Sequence, residues 1–156
     1  MKSENPIKLG IDSSLRSEGF QHKPGTWYRE QEESVLVVNL QKSNFGEQYY
    51  INLGVLLKGS QGAPVRLPPK EHECQVRLRV EAATPLEEQA LTALLNLEDR
   101  SIEAGERERR VQALMAEQAL PFLLQCSTRA GIQQAHQDGK LKGAQLHKAV
   151  RESLLA

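Results

Sequence analysis

A chain of 156 residues suits one domain of 1–156 and can bury roughly 70 % of its unfolded surface without staples. Its 39 % hydrophobic and 26 % charged content excludes a collagenous, disulfide-dense or wholly disordered protein. Twenty basic and twenty acidic residues balance to zero net charge, which argues against a nucleic-acid coat, a basic membrane binder or an acidic DNA mimic.

The opening Met1 to Asn5 leads into polar residues without an apolar core, so no secretory signal is expected. Apolar runs such as Val35 to Val38 and Leu120 to Leu124 fall far short of the roughly 20 residues a membrane span needs. Cys74 and Cys126 are the only cysteines, too few for a disulfide framework. The expectation is a reduced, cytoplasmic chain with both thiols in the core.

The first predicted element is a helix, with Asn5 as cap, Pro6 in the first helical position and Ile7, Ile11 and Leu15 on one face. Gly10 should weaken it by about 1 kcal/mol. Gly19 offers a left-handed stop, behind which Phe20 can fold back. Three strands follow: Thr26 to Glu30, Val35 to Lys42 and Gln48 to Leu57.

A four-residue tip at 44–47 pairs Ser43 with Gln48 and sets Leu40, Val38 and Leu36 against Ile51, Leu53 and Val55. The opposite face then sets Asn39 against Asn52 and Gln41 against Tyr50. Closing the first hairpin with Arg29 opposite Ser34 puts Trp27 beside Leu36 and Tyr28 beside Val35. Residues 58–71, with Gly59, Gly62, Pro64, Pro68 and Pro69, read as a loop. A fourth strand alternates Cys74, Val76, Leu78 and Val80 with Gln75, Arg77, Arg79 and Glu81.

From Thr84 the pattern is helical. Thr84 and Glu87 form a capping box with Pro85 between them, and Leu86, Ala90, Leu94 and Leu97 make a stripe. Residues 98–110 read as a solvated helix or helix-loop-helix with Gly105 as a break. Val111, Leu114, Met115 and Ala119 resume an apolar face, and Pro121 kinks or restarts the next turn. Thr128 caps a short helix that Gly139 ends, and a last helix carries Leu146, Val150 and Leu154. The expected fold class is α+β: a four-stranded, mainly antiparallel sheet with an N-terminal helix (1–83) and a C-terminal helical layer (84–156).

Signatures of chemistry are missing from the sequence. It has no nucleophile elbow, phosphate-binding loop, dinucleotide fingerprint or H-E-x-x-H motif. The adjacent pairs Glu32-Glu33 and Glu87-Glu88 point their carboxylates apart. His72 and Cys74 could reach one metal ion, but a closed ligand set is not visible, so neither metal nor cofactor is expected. The chain splits at residue 83 into nearly neutral halves, so a dedicated nucleic-acid module is not expected either.

What stands out is polar. Asn39, Gln41, Ser43, Tyr50, Asn52, Arg77 and Arg79 share one sheet face by alternation, and amides, a phenol and guanidinium groups together recognise carboxylate, phosphate or backbone edges. A wet antiparallel face is polar for no functional reason, and Asn39 and Asn52 could also bond to each other beneath helices.

Gly19-Phe20, Trp27-Tyr28-Arg29, the 38–43 run Val-Asn-Leu-Gln-Lys-Ser, the 50–55 run Tyr-Ile-Asn-Leu-Gly-Val, and Cys74 before Arg77-Leu78 occur in that order. Together they resemble, over roughly residues 5–80, the bacterial family catalogued as domain of unknown function 4304. The resemblance implies no activity or cofactor. It implies a non-catalytic binding role, of the kind suspected for immunity or toxin-neutralising proteins, with Asn39, Gln41, Ser43, Asn52 and Arg77 on matching positions. The expectation is a protein partner, such as a toxin, docked by the polar face or by the charged helix around Arg107 to Arg110. Two rivals are a small-ligand or nucleotide-binding domain with hydrolytic activity, and an oligomeric structural protein.

Overall fold

The computed structural model describes residues 4–59 and 66–155. Helix α1 (Pro6–Arg16) begins as its sequence dictates: the Asn5 side chain accepts from the amides of Ile7 (2.9 Å) and Lys8 (3.2 Å). Ile7, Ile11 and Leu15 are wholly buried. Gly19 takes a φ of 84°, and the Phe20 amide returns to the Leu15 carbonyl at 3.0 Å, which folds Phe20 into the core.

The sheet has six strands, all antiparallel to their neighbours and in sequential order: β1 (Gln21–Lys23), β2 (Thr26–Glu30), β3 (Ser34–Lys42), β4 (Tyr49–Leu57), β5 (Val76–Arg79) and β6 (Gln145–Leu146). This corrects the expected four. Strands β1 and β6, of three and two residues, are too short to display alternation. Leu146 thus belongs to a strand, and the last helix, α6 (Lys148–Ser153), starts behind it.

The β3–β4 register is the one predicted, with Leu36 opposite Val55, Asn39 opposite Asn52 and Gln41 opposite Tyr50. The β2–β3 register is two residues away from prediction: Trp27 faces Val38 and Tyr28 faces Val37, where Leu36 and Val35 were expected. A two-residue shift keeps every side chain on its face, so alternation could not choose between them. Ser34 settles the matter. Its carbonyl accepts from the Gln31 amide at 2.7 Å, which closes the hairpin two residues from the predicted Arg29–Ser34 pair, while its buried hydroxyl donates to the Ser127 carbonyl at 2.7 Å.

Residues 60–65 of the expected 58–71 loop, including Gly62 and Pro64, lie outside the described residues. Its end is a single 3₁₀ turn at Glu71–Glu73. Strand β5 is shorter than expected, since Val80–Ala83 also winds into 3₁₀ geometry.

The helical half contains α2 (Glu88–Leu94), α3 (Ala104–Leu114), a π-helical turn at Met115–Ala119, α4 (Leu120–Gln125) and α5 (Arg129–Gln137). The predicted capping box does not start α2. The Thr84 hydroxyl closes a local turn onto the Leu86 amide (3.3 Å), and the helix begins at Glu88. Its buried face is therefore Leu91, Leu94 and Leu95, and Leu86 is left exposed. Gly105 lies within the first turn of α3 and does not break it.

The π turn has a cause in Pro121, which has no N–H and whose ring clashes with an α-helical carbonyl four residues back. The Leu120 amide instead reaches the Met115 carbonyl, five residues away. Thr128 caps α5 through the Gly131 amide at 3.0 Å. Gly139 sits at φ 76° just beyond the helix.

One large core joins α1, the inward sheet side chains and the helical half, from Ile7 and Trp27 through Leu53 and Leu78 to Met115 and Leu123. A smaller cluster of Tyr28, Val35, Val37 and Cys74 occupies part of the other sheet face. Both cysteines are buried and free, and burial pushes each thiol up to about 12. Among the described residues no helix is long and apolar enough to cross a membrane.

Where α1 meets β1 and β2, Asp12 accepts from the Trp27 indole N–H (3.0 Å) and from Arg16 (2.7 Å). Burial alone would raise the Asp12 carboxyl, but these two bonds outweigh it and hold it below the usual carboxylate range. The His22 ring lies 4.6 Å from the Trp27 ring. Its Nδ1 faces an Arg16 donor at 3.4 Å, so the ring proton sits on Nε2, a buried atom without a partner among the described residues.

Burial pushes His22 below the ordinary histidine value, with Asp12 partly opposing. The neutral ring therefore contributes stability that is complete above about pH 6.5 and is lost as pH falls below it. Trp27 is the single tryptophan. Its fluorescence should change with a midpoint below about pH 6.5 as His22 charges, and His22→Gln should abolish the transition. An unchanged transition in that variant would place its origin elsewhere.

Candidate functional site

Strand parity sends Thr26, Asn39, Asn52 and Arg79 to the sheet face opposite the large core. The paired positions run Lys23–Thr26, Thr26–Asn39, Asn39–Asn52 and Asn52–Arg79. Five strands thus contribute to one polar row across the sheet. Inside the row, the Asn52 amide donates to Asn39 Oδ1 and to Gln41 Oε1, each at 3.1 Å. Asn39 in turn donates to the Gly25 carbonyl at 3.1 Å, with a longer contact of 3.5 Å to Thr26 Oγ1. The asparagines do bond to each other, but on the outward face and not beneath helices. That network is why two poor strand formers are tolerated side by side.

The next row is capped. Glu71 receives two hydrogen bonds from Arg77 (3.0 and 3.2 Å) and ties the 3₁₀ turn to β5. These bonds push the Arg77 guanidinium even further up. Cys74, at the end of that turn, sits directly on Gly54: a Cβ at residue 54 would lie 2.7 Å from its sulfur. Gly54 is therefore the gap that admits the turn onto the sheet. Cys74 is thereby sealed in the small cluster, while His72 is exposed. Among the described residues no group of three or more His, Cys, Asp or Glu side chains could hold a metal ion.

Beside the turn lies an open concavity of about 480 Å³, lined chiefly by Gln41, Asn52, Glu71, Arg77, Arg79 and Glu81. Arg79 stacks on the Tyr50 ring, its guanidinium carbon 4.1 Å from the centroid. Among the described residues Arg79 makes no hydrogen bond or ion pair, so its five N–H donors are unspent. Burial raises the Glu81 carboxyl, with Arg79 partly offsetting it.

Six of the seven predicted residues are thus brought together on one face, four of them on the concavity. Ser43 is not part of the group in the same sense: it lies past the end of β3, where its hydroxyl accepts from the Phe45 amide at 3.1 Å and shapes the hairpin tip. The other predicted surface fails at its first residue. Arg107 is 2 % exposed and points inward, while Arg110 is exposed and paired with Glu106 at 2.7 Å. Sequence reading missed Lys23, Glu71 and Gln145. Lys23 lies in a strand of three residues, Glu71 in a turn and Gln145 in a strand of two, so none carried a periodic signal.

Together these features define an α+β protein whose antiparallel sheet is backed by helices on one face and, among the described residues, carries only a short turn on the other. The chain belongs to the family described as Domain of unknown function (DUF4304), whose model matches residues 11–125. The match runs on through α2, α3, the π turn and α4, well past the strand motifs that carried the resemblance. Neither a curated protein nor a solved structure matches the chain.

Proposed function

We propose that this chain is a non-catalytic binding protein that docks a protein partner on the polar sheet face, in the toxin-neutralising manner its family resemblance suggests. One observation carries the reading: the Arg79 guanidinium sits over the Tyr50 ring, 4.1 Å from its centroid, with its donors unspent among the described residues and beside an internally bonded amide network. Arginine and tyrosine are the side chains most often found at the energetic centre of interfaces, and a pre-ordered pair loses little entropy on docking. Arg77 serves a different purpose, holding the Glu71 turn, so Arg79 and Tyr50 are the informative positions.

A photo-crosslinker at the exposed Gln41 should capture a discrete protein species from an extract of the protein's own cells, whereas one at the exposed Gln134 on α5 should not. Combining Arg79→Ala with Tyr50→Ala should abolish capture while moving the melting temperature by no more than about 3 °C. Capture that ignores the double variant, or no capture at all, sinks the reading.

The concavity supports a second reading, a small anionic ligand held by Arg79 and Gln41, since its volume falls within the usual range for ligand sites. That reading predicts a ligand-dependent rise in melting temperature that Arg79→Ala removes and that needs no protein partner.

A further inference from the structure

The row Lys23–Thr26–Asn39–Asn52–Arg79 has a feature that a merely wet sheet face does not require. Its interior is neutral and internally hydrogen-bonded, and a cation stands at each end. Lys23 and Arg79 are both exposed, and neither has a hydrogen-bond or ion-pair partner among the described residues. Four inter-strand steps separate their backbone positions, which at about 4.8 Å per step is about 19 Å, and the Arg79 side chain leans over Tyr50 of the neighbouring strand β4. An extended polypeptide rises about 3.3 Å per residue, so roughly six residues bridge that distance.

We infer that the row seats an extended segment of the protein partner, lying across the strands and carrying two carboxylates roughly six residues apart, one toward Lys23 and one toward Arg79. The segment's backbone would run over the asparagines. Asn52 is only 9 % exposed and has both amide hydrogens donated, so the exposed Gln41, whose amide keeps its donors, is the group that meets a peptide carbonyl. The 3₁₀ turn at Glu71–Glu73 stands along one side of the row and limits how the segment can slide.

A nucleic acid fits this surface poorly. Its charges recur far more closely than two cationic residues about 19 Å apart can match. This inference deepens the docking reading and rests on it: the reading names the face, and the inference names the chemistry and spacing of what lies there.

The test is a titration of the full chain, labelled with nitrogen-15, by a serine-glycine decapeptide bearing two glutamates roughly six residues apart. Saturable shifts should appear at Lys23, Arg79 and the side-chain amides of Asn39, Asn52 and Gln41. Lys23→Ala and Arg79→Ala should each weaken binding about threefold, and the pair about tenfold, as expected of exposed ion pairs. Added salt should weaken it further. Both residues are exposed, so the variants should melt with the parent.

Equal binding by a peptide with adjacent glutamates overturns the spacing, and tighter binding by a short oligothymidylate overturns the choice of a protein segment. If Gln41 crosslinking succeeds but Lys23→Ala changes nothing, this inference falls and the docking reading stands. If the spaced peptide binds and no partner is ever crosslinked, the docking reading falls and takes the partner segment with it, leaving only a row that selects paired carboxylates.

Discussion

Arg107→Ala should destabilise the chain by about 3–5 kcal/mol, the range for stripping a buried charged group from its partners. The side chain is 2 % exposed and faces no carboxylate at bonding distance among the described residues. It donates instead to the carbonyls of Ala93, Leu94 and Asp99, where α2 ends and the chain turns toward α3. A helix end leaves carbonyls without intrahelical donors, and a cation there also opposes the dipole. One guanidinium answers the last two carbonyls of α2 and the Asp99 carbonyl beyond it, and burial lowers its hold on the proton without a neighbouring charge to compensate fully.

Alanine would leave the Leu94 and Asp99 carbonyls without a donor, while the Ala93 carbonyl keeps the Asn96 amide at 3.2 Å, and each buried group left unpaired costs about 1–3 kcal/mol. Lysine keeps the charge but cannot present the planar fork, so Arg107→Lys should recover less than half of the loss. Thermal melts check this directly, with a fall on the order of 10 °C expected for alanine. A fall of only one or two degrees would mean that water replaces the guanidinium without cost.

Arg107 also shows where reading a sequence stops. It stands in the run Glu-Arg-Glu-Arg-Arg at 106–110, which looks like a solvated helix face. Nothing local marks one arginine of three as buried, because its partners lie 8 to 14 residues away and are backbone atoms. The sheet behaves differently. With a tip at 44–47, period-two alternation leaves a single register that keeps hydrocarbon together, so Asn39 meets Asn52 as predicted.

The same rule is blind to a shift of two. Consequently the pairing of Thr26 with Asn39 is not legible in the sequence, and the row can be read pair by pair only between β3 and β4, with Arg77 and Arg79 assigned to the face by alternation alone. Its ends depend on β1 and on the docking of β5 against β4, both set by tertiary packing and not by local pattern. The extent of the family match follows the same logic. The strand motifs are short and dense in aromatic and amide residues, while the helical half up to Gln125 belongs to the family without any motif conspicuous on its own.

Two glycines invert the usual expectation for helices. Alanine is favoured over glycine in a helix by about 1 kcal/mol, so Gly10→Ala in α1 and Gly131→Ala in α5 would be stabilising if only local propensity counted. The packing says otherwise. A Cβ on Gly10 would lie 2.6 Å from the Glu108 carbonyl oxygen and 2.8 Å from Val111 Cβ, so α1 and α3 touch through the missing side chain. A Cβ on Gly131 would lie 1.7 Å from the Gln125 carbonyl oxygen, where the ends of α4 and α5 meet.

The atoms in the way are backbone, or the stiff branch point of a valine, and cannot swing aside as a long side chain would. Overpacking of this kind costs about 1–3 kcal/mol and occasionally more. Gly10→Ala should therefore lose about 1–2 kcal/mol net, and Gly131→Ala about 3 kcal/mol, since its contact is the closer one and the Thr128 cap shares the same turn. Urea midpoints should fall in that order, with unchanged slopes if the helices separate slightly without unfolding. A rise in midpoint for Gly131→Ala would show that α5 can move away from Gln125 freely and that this helix is not locked against the core.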